Sequence, residues 1–320
     1  MFEGKNVLVT GGAGFIGANL IYRLLKLNAN LTATIHIKEP VINNDRVNYI
    51  NCDLRNPDDC ARVCKNIDYV FLCAANTSGA AVMTKTPLVH LTPNVLMNVN
   101  MLEAAYNAGV KKLLFISSNT VYPLTDYAVK ENDVTNEFYE KYFIVAWMKR
   151  FTEIVCEMYA TKIKKPMEVV VVRPANVYGP YDDFDWETSH VIPALVRKIV
   201  EHHKPIEVWG DGHDIKEFIY VDDLIDGLIL AMEKINIFQP INIASGIPCS
   251  VREVIDILIK IDNFHDASIE FNKSKPTMIP KRMIDISLAK ELLGFAAKTS
   301  LEDGLRKTLL WYRESLKNKE

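Results

Sequence analysis

The chain has 320 residues, 49% of them hydrophobic and 24% charged, which is long and apolar enough to bury a large core. Its formal net charge is −3 and no basic run extends beyond residues 162–165, which argues against nucleic acid or an acidic membrane as the main partner. The six cysteines show neither Cys-x-x-Cys nor Cys/His zinc spacing, so we expect no metal site. No apolar run has membrane length, so we expect a soluble, cytoplasmic protein.

Short apolar segments alternate with helical ones along the first half of the chain. Residues 5–28 read as a strand, a glycine turn and an amphipathic helix. Further strands are predicted at 31–37, 47–54, 68–75, 111–118 and 167–179, and helices at 57–66, 94–108 and about 139–162. Near-continuous apolar strands separated by helices indicate a parallel sheet covered on both faces. Right-handed crossovers then give an α/β fold with a doubly wound parallel Rossmann sheet.

The pattern loosens after about residue 180. Helices are predicted at 189–203, 221–234, 250–261 and 300–320, with a strand and turn at 206–212. We therefore assign residues 1–180 to a dinucleotide-binding Rossmann domain. Residues 181–320 form mainly a smaller C-terminal α/β lobe, interleaved with the first domain and closing over the carboxyl edge of the sheet.

The stretch "TGGAGFIG" places three glycines between the first strand and the first helix. Gly11 permits the tight turn, Gly14 lets the backbone approach a pyrophosphate, and Gly17 allows close packing of helix on strand. The start of the helix, at Phe15 and Ile16, offers free N–H groups to the phosphate. Such a turn also occurs without a ligand, but strand, spacing and helix together favour dinucleotide binding.

Seven motifs in order extend this pattern over essentially the whole chain: "TGGAGFIG", "CDL", "CAA", "SSNTVYP", "RPANVYGP", "WGDG…KEFIYVDDL" and "RMID". With them the chain resembles the extended short-chain dehydrogenases/reductases of the nucleotide-sugar epimerase/dehydratase group. The resemblance implies an NAD(P)-dependent enzyme acting on a nucleoside-diphosphate hexose. Residues 187–198 are most similar to the GDP-L-fucose synthase branch, which favours a GDP-sugar and an epimerase or 4-keto-sugar epimerase/reductase. That branch's catalytic histidine falls on His190, although a lone histidine before an apolar helix is often structural.

The resemblance also assigns cofactor contacts. NAD-preferring members end the second strand with an acidic residue, whereas this chain has His36 and Lys38 there, which suit a 2′-phosphate. NADP(H) is therefore favoured and NAD remains possible; the alternative is a solvated loop without contact. Two further pairs match the family, namely Asp53 and Leu54 at the adenine edge and Ala74 and Ala75 beneath the pyrophosphate.

The catalytic positions depart from the family pattern at one residue. Ser118 matches the catalytic Ser/Thr, and the next two residues, Asn119 and Thr120, cannot do the acid–base work of a dehydratase. Lys149 matches the lysine of Tyr-x-x-x-Lys, but Val145 fills the tyrosine position.

Several groups are open as the replacement for the missing phenol. Tyr142 lies seven residues before Lys149, about two helical turns, and its hydroxyl would lean away from the lysine. Ser118, Thr120 and Tyr139 are alternatives, and His190 is preferred because imidazole titrates near neutrality. Lys149 can bind the nicotinamide ribose without a tyrosine.

Five residues are assigned to the substrate by the same resemblance: Asn119, Asn176, His190, Lys216 and Arg282. Asn176 would bind a phosphate or sugar oxygen, and its alternative is a turn-capping role. Lys216 stands where relatives have arginine, so it offers a point charge without a bidentate fork. Arg282 fits the arginine of the diphosphate site; the alternative is a surface salt bridge.

Two readings of the whole chain stay open. One is an active enzyme, and the other is a cofactor-binding, catalytically impaired family member acting as a binding or regulatory protein. Helices 94–108 and 139–162 resemble the pair through which this family forms an intermolecular four-helix bundle, so we expect a homodimer. The alternative is that their apolar residues are ordinary core.

Overall fold

The computed structural model describes residues 1–77, 86–275 and 277–317. A seven-stranded parallel sheet lies at its centre, in the order β11-β7-β5-β4-β1-β2-β3. The strands of this sheet are β1 (Asn6–Val9), β2 (Asn30–Ile35), β3 (Val47–Asn51), β4 (Tyr69–Leu72), β5 (Lys112–Ile116), β7 (Glu168–Pro174) and β11 (Pro240–Ile243). The doubly wound parallel α/β fold predicted from the sequence is confirmed.

Nine helices are found in the described residues: α1 (Phe15–Lys26), α2 (Pro57–Val63), α3 (Thr92–Asn107), α4 (Phe143–Glu157), α5 (Val191–Val200), α6 (Val221–Lys234), α7 (Val251–Asp262), α8 (Ser287–Leu293) and α9 (Leu301–Lys317). Short 3-10 turns occupy Pro87–His90, Asn119–Val121, Glu131–Asp133 and Glu140–Tyr142, and a π turn at Met158–Lys162 follows α4. The helix predicted from about residue 139 thus begins at Phe143, because the preceding residues form a tighter turn.

Smaller sheets occupy the second lobe. The strand β10 (Ile215–Tyr220) lies between β8 (Asn176–Tyr178) and β12 (Pro248–Ser250), β9 (Ile206–Trp209) pairs with β13 (Ile269–Asn272), and β6 (Ala128–Val129) pairs with β14 (Met283–Ile284). The strand β11 was not predicted; it joins the central sheet beside β7 although it lies beyond residue 180. Its place in the sheet depends on pairing with a strand that is distant in the sequence.

Alternate residues of each central strand face opposite helical layers. Val7 and Val9 of β1 belong to the core beneath α1 and α6, whereas Leu8 faces the core formed with α2 and α3. Burial on both faces explains why the strands read as continuous apolar runs.

The strand order reverses between β1 and β4, which are neighbours in the sheet. The strand that follows β1 in the chain, β2, lies on one side of this pair, and the strand that follows β4, β5, lies on the other. In open parallel sheets ligands bind outside the carboxyl ends of the strands at such a switch point. The turns that follow β1 and β4 therefore border the crevice in which a cofactor is expected.

The described residues contain neither a membrane-spanning helix nor a cluster of metal-binding side chains. No helix there combines the length and the apolar character that a membrane crossing requires. No group of three or more His, Cys, Asp or Glu side chains there is arranged to hold a metal ion. All six cysteines are free, and five of them are buried.

Candidate active site

The glycine turn after β1 packs against the end of β4 so closely that a side chain is excluded. Gly11 has a φ of +68°, and a Cβ on it would lie 2.8 Å from the Cα of Ala74. A Cβ on Gly17 would lie 2.2 Å from the main-chain oxygen of Gly11. Thr10 fixes the approach, since its Oγ1 accepts hydrogen bonds from the amides of Cys73 (3.0 Å) and Ala74 (2.9 Å).

The N-terminus of α1 opens onto this turn. Gly14 is the N-cap, and its amide donates to the Gly11 carbonyl at 2.9 Å. Phe15 and Ile16 follow in the first turn, where amide groups have no intrahelical acceptor, and no acidic side chain lies in that turn. The free amides and the helix dipole suit a phosphate, so the residues present fit the pyrophosphate of a dinucleotide.

The predicted adenosine contacts lie at the ends of β2 and β3. Asp53 is held by Arg55, whose Nε is 2.9 Å from both carboxylate oxygens, and these hydrogen bonds lower the pKa of Asp53 to about 2. His36 approaches the same carboxylate at 4.0 Å, and Lys38 is exposed. Arg55 was missed in the sequence analysis, although it comes only two residues after Asp53.

Lys149 lies buried between the ends of two central strands. Its Nζ donates to the main-chain oxygen of Ile116 at 2.8 Å and lies 5.0 Å from the ring centre of Phe115. Burial lowers the pKa of Lys149 to about 8, with Glu153 and Cys73 acting in the opposite direction. Val145, one helical turn before it, is half-buried.

Glu153, one turn after Lys149, anchors α4 to the sheet. Its carboxylate accepts two hydrogen bonds from Arg173 (2.8 and 2.7 Å) and one from Ser117 (2.5 Å), and all three residues are buried. This contact fixes the helix that holds Lys149. The role of Glu153 could not be predicted, since Arg173 and Ser117 lie on other elements; only Arg150, at 3.2 Å, is on its own helix.

Ser118 is oriented by its neighbour Thr120. The Ser118 oxygen accepts from the Thr120 amide at 3.1 Å and from the Thr120 hydroxyl at 3.0 Å. Because both of its acceptor sites are occupied, the Ser118 hydroxyl is left to donate its proton to a ligand. Asn119 is buried and donates to the carbonyl of Pro174 at 3.0 Å, which fixes this turn.

Tyr142 is not placed beside Lys149. The charged groups that affect its pKa are Arg282 and Asp214, and burial raises that pKa to about 12. The neighbouring Lys141 donates to the carbonyl of Thr277 at 2.6 Å, which ties this turn to the second lobe. The structure therefore groups Tyr142 with the predicted diphosphate residues.

Arg282 is buried, donates to main-chain oxygens, and lies over the ring of Tyr122 at 5.9 Å from the ring centre. Its two terminal nitrogens donate to the carbonyls of Pro123 (2.9 Å) and Tyr122 (3.1 Å). Its Nε is also buried and has no hydrogen-bond partner in the part of the chain that the structure describes. Burial lowers the pKa of Arg282 to about 10. A surface salt bridge, the alternative considered for this residue, is excluded by its 1% exposure.

Two further predicted substrate residues, Lys216 and Asn176, are engaged within the protein. Lys216 donates to Asp214 at 3.0 Å and to the carbonyl of Ile279, and burial lowers its pKa. Asn176 donates through Nδ2 to the carbonyl of Glu217 at 3.0 Å, which leaves its side-chain oxygen for a ligand.

His190 is the N-cap residue of α5, makes no side-chain capping hydrogen bond, and is exposed. Desolvation lowers its pKa; the carboxylate of Asp183 opposes this shift, and His90 reinforces it. Asp183 is itself held by the hydroxyl of Thr188 at 2.6 Å. His90 was missed entirely, because it is far from His190 in the sequence and belongs to no motif.

The chain is similar in sequence to a family of known proteins. Residues 7–244 match the profile of the NAD dependent epimerase/dehydratase family. The chain belongs to this family. The resemblance inferred from the seven motifs is confirmed.

Curated relatives within the epimerase/dehydratase family cover most of the chain. A probable GDP-L-fucose synthase 1 of Oryza sativa subsp. japonica is 29% identical over 98% of this chain and 94% of its own length. The GDP-L-fucose synthase of Escherichia coli (strain K12) is 30% identical over 78% of this chain and 82% of its own. A GDP-mannose 3,5-epimerase 1 of Oryza sativa subsp. indica is 29% identical over 99% and 84%.

Solved structures of family members superpose along nearly the whole chain. The UDP-glucose 4-epimerase of Thermotoga maritima with UDP-glucose has a TM-score of 0.88 at 25% identity, covering 97% of this chain and 99% of that one. The UDP-glucuronic acid 4-epimerase of Bacillus cereus with UDP-glucuronic acid and NAD has a TM-score of 0.85 at 29% identity, with the same coverage.

Proposed function

We propose that the chain is an NAD(P)-dependent enzyme that epimerises, or epimerises and reduces, the hexose of a nucleoside-diphosphate sugar. A GDP-sugar is the favoured substrate, NADP(H) is the preferred cofactor, and the active form is a homodimer. The observation on which this rests is the environment of Arg282. Its guanidinium is 1% exposed, donates to two carbonyl oxygens and lies over the ring of Tyr122, and no carboxylate pairs with it among the described residues.

A buried charge of this kind is costly unless an opposite charge neutralises it. The diphosphate of a nucleotide-sugar would supply that charge and would give the unpartnered Nε an acceptor. Tyr142 and Lys216 lie nearby and can add a hydroxyl and a point charge. The second lobe thus supplies a positive site that the diphosphate would neutralise.

The first lobe supplies the cofactor contacts. The Gly11–Gly17 turn would hold the pyrophosphate, Lys149 the nicotinamide ribose, and His36 and Lys38 a 2′-phosphate. A bound nicotinamide would supply hydride exchange with the sugar. Ser118, with its proton free to donate, would hydrogen-bond the sugar oxygen whose carbon changes oxidation state. His190 would exchange protons at the neighbouring sugar carbons, since imidazole titrates near neutrality.

The choice of a GDP-sugar is supported by the curated relatives, several of which are named for GDP-L-fucose or GDP-mannose chemistry. The solved structures instead contain UDP-sugars and NAD. The experiment that tests the proposal therefore varies both the base of the nucleotide-sugar and the dinucleotide.

A second candidate follows from Val145. The phenol of the family's tyrosine is replaced by the isopropyl group of Val145. The alternative function is therefore that of a binding protein, which binds the dinucleotide and the nucleotide-sugar without turnover. Retention of Ser118, Lys149, His190 and Arg282 favours the enzyme, since a binding protein has no need of all four.

The test measures binding and turnover separately. GDP-mannose and UDP-glucose are titrated into dinucleotide-loaded protein, into Arg282→Lys and into the exposed control Arg252→Lys. Losing one charge-assisted hydrogen bond, worth roughly 1.5–3 kcal/mol, should weaken nucleotide-sugar binding by about 10- to 150-fold in Arg282→Lys. The control variant should bind as wild type, and all three proteins should bind the dinucleotide equally. Equal sugar-nucleotide affinity in the two variants, or none in wild type, would contradict the proposal.

A further inference from the structure

His90 is a buried histidine with one nitrogen unused. Its side chain is 2% exposed, and its Nε2 has no hydrogen-bond partner in the described part of the chain. Buried polar atoms in native proteins are paired in the great majority of cases, so an unpaired one points to a ligand, a water or a catalytic role. None of the family motifs includes this residue.

The hydrogen bond at the other ring nitrogen fixes one proton of His90. Nδ1 lies 3.1 Å from the main-chain oxygen of Asn76. A carbonyl oxygen only accepts, so Nδ1 holds a proton, and Nε2 is the ring nitrogen left to exchange a proton with a ligand. The arrangement is that of a general base, whose orientation is set by a hydrogen bond at the opposite ring nitrogen.

The ring is held by a closed network of amides. Asn94 donates to the carbonyls of His90 (2.6 Å) and Asn76 (2.9 Å) and accepts from the Asn76 amide at 2.8 Å. Asn76 in turn donates to the carbonyl of Val89 at 3.0 Å. A side chain whose backbone is fixed on both sides in this way is pre-organised for proton transfer.

Three elements converge on His90. Asn76 directly follows Ala75, in the turn beneath the predicted pyrophosphate. The Pro87–His90 turn packs against α4, the helix of Val145 and Lys149. A charge on His90 is felt by His190, which opens the second lobe. His90 therefore lies among the cofactor turn, the helix that lacks its phenol, and the histidine of the substrate side.

We propose that His90 is the catalytic residue that transfers the proton of the reacting sugar hydroxyl, in place of the phenol missing at Val145. This inference rests on the proposed function. In the oxidative direction the O–H bond would break and its proton would move to Nε2, giving an imidazolium; a nicotinamide dinucleotide held by the Gly11–Gly17 turn and Lys149 would supply the acceptor for the hydride of that carbon. In the reductive direction the imidazolium would return the proton to the carbonyl oxygen, with hydride supplied from the same bound dinucleotide.

The decisive variant is His90→Asn. Its amide can still donate to the Asn76 carbonyl from the Nδ1 position, but it has no group at Nε2 and no titratable base. We expect kcat to fall by about 10²- to 10⁴-fold, the usual contribution of a general acid–base group. Dissociation constants for dinucleotide and for GDP-mannose should stay within about twofold of wild type, because the lost interaction is made in the transition state. The exposed His265→Asn is the matched control.

A second measurement does not depend on turnover or on a folded variant. ¹⁵N NMR of the histidine rings in the wild-type protein should show His90 with Nδ1 protonated and Nε2 bare. Adding GDP-mannose to the dinucleotide-loaded protein should shift the His90 Nε2 resonance as it accepts a hydroxyl proton in a hydrogen bond. A protonated Nε2 in the free protein, or an Nε2 resonance unmoved by a sugar-nucleotide that binds, would overturn the assignment.

The outcomes separate this inference from the proposed function. Turnover by wild type with undiminished kcat in His90→Asn overturns the role of His90 and leaves the function intact. Failure of every GDP- and UDP-hexose to bind wild type overturns the proposed function, and the role of His90 with it.

Discussion

The ammonium of Lys149 and the carbonyl of Ile116 lie 2.8 Å apart at the carboxyl end of β5. The lysine is thus positioned by the sheet, without help from a side chain one turn earlier on its own helix. Val145 occupies that earlier position and offers only methyl groups. The proposed function therefore assigns ribose binding and proton transfer, which one Tyr–Lys pair usually combines, to different residues.

Restoring the phenol should compensate for loss of His90. In a His90→Asn background, Val145→Tyr places a phenol four residues before Lys149, where the ammonium can lower its pKa. We expect kcat to recover by at least about tenfold, part of the 10²–10⁴ that an acid–base group supplies. Ile144→Tyr, also half-buried but turned to another side of the helix, should give no recovery. Equal kcat values for the two double variants would contradict this expectation.

Gly11 should be indispensable for cofactor binding for a reason that Gly4 does not share. Both have positive φ, +68° and +65°, but a Cβ on Gly11 would meet Ala74 whereas one on Gly4 would meet nothing within 4 Å. Gly4→Ala should cost about 1–2 kcal/mol of unfolding free energy from backbone strain alone. Gly11→Ala should cost roughly 1–3 kcal/mol more from overpacking, measured by urea denaturation, and should abolish dinucleotide binding. Similar losses in both would show that the turn does not approach Ala74 closely.

Lys38 should set the dinucleotide preference. It is exposed after β2, where it can meet a 2′-phosphate without displacing another partner. Lys38→Ala should weaken NADPH binding by roughly tenfold, the effect of one charge-assisted contact, and leave NADH binding nearly unchanged. Lys65 is exposed in the connection between α2 and β4, and Lys65→Ala serves as the control in calorimetric titrations. Tighter binding of NADH than NADPH by wild type would refute the preference.

An apolar surface on α3 and α4 supports the homodimer. Leu96, Phe143 and Trp147 are 43%, 51% and 46% exposed, and Trp147 stacks on Phe151 at 5.4 Å. Trp147→Glu should raise the dimer dissociation constant at least about 30-fold, as expected for an aromatic hot spot worth 2 kcal/mol or more. The change is measured by sedimentation velocity over a concentration series.

The control for this experiment is Leu310→Glu, on the exposed face of α9. Leu310 is 50% exposed and lies away from both helices, so the variant should sediment as wild type does. A wild-type protein that stays monomeric at every concentration would disprove the dimer.

The central sheet was predictable because its strands are buried on both faces and therefore show as continuous apolar runs between amphipathic helices. The glycine turn was predictable for a similar reason, since strand, turn and helix are contiguous. The position of Lys149 followed from a spacing within one helix. Each of these signals is local in sequence.

The parts that were missed depend on contacts between distant residues. Arg282 itself was assigned to the diphosphate site, but its burial and its hydrogen bonds to carbonyls 159 and 160 positions earlier appear only in the folded chain. His90 is hydrogen-bonded to Asn76 and affects the pKa of His190, and neither relationship leaves a period or motif in the sequence. The late start of α4 was also invisible, because no proline or glycine marks the turn at Glu140–Tyr142.

The measurement that tests the account most directly is the near-ultraviolet absorbance of nicotinamide bound to the wild-type protein during rapid mixing with GDP- and UDP-hexoses. The account predicts that at least one nucleotide-sugar changes the redox state of the bound nicotinamide, and that this change is slowed in His90→Asn. Binding of dinucleotide and sugar-nucleotide together with constant absorbance, for every sugar and both dinucleotides, would contradict it and would establish a binding protein instead.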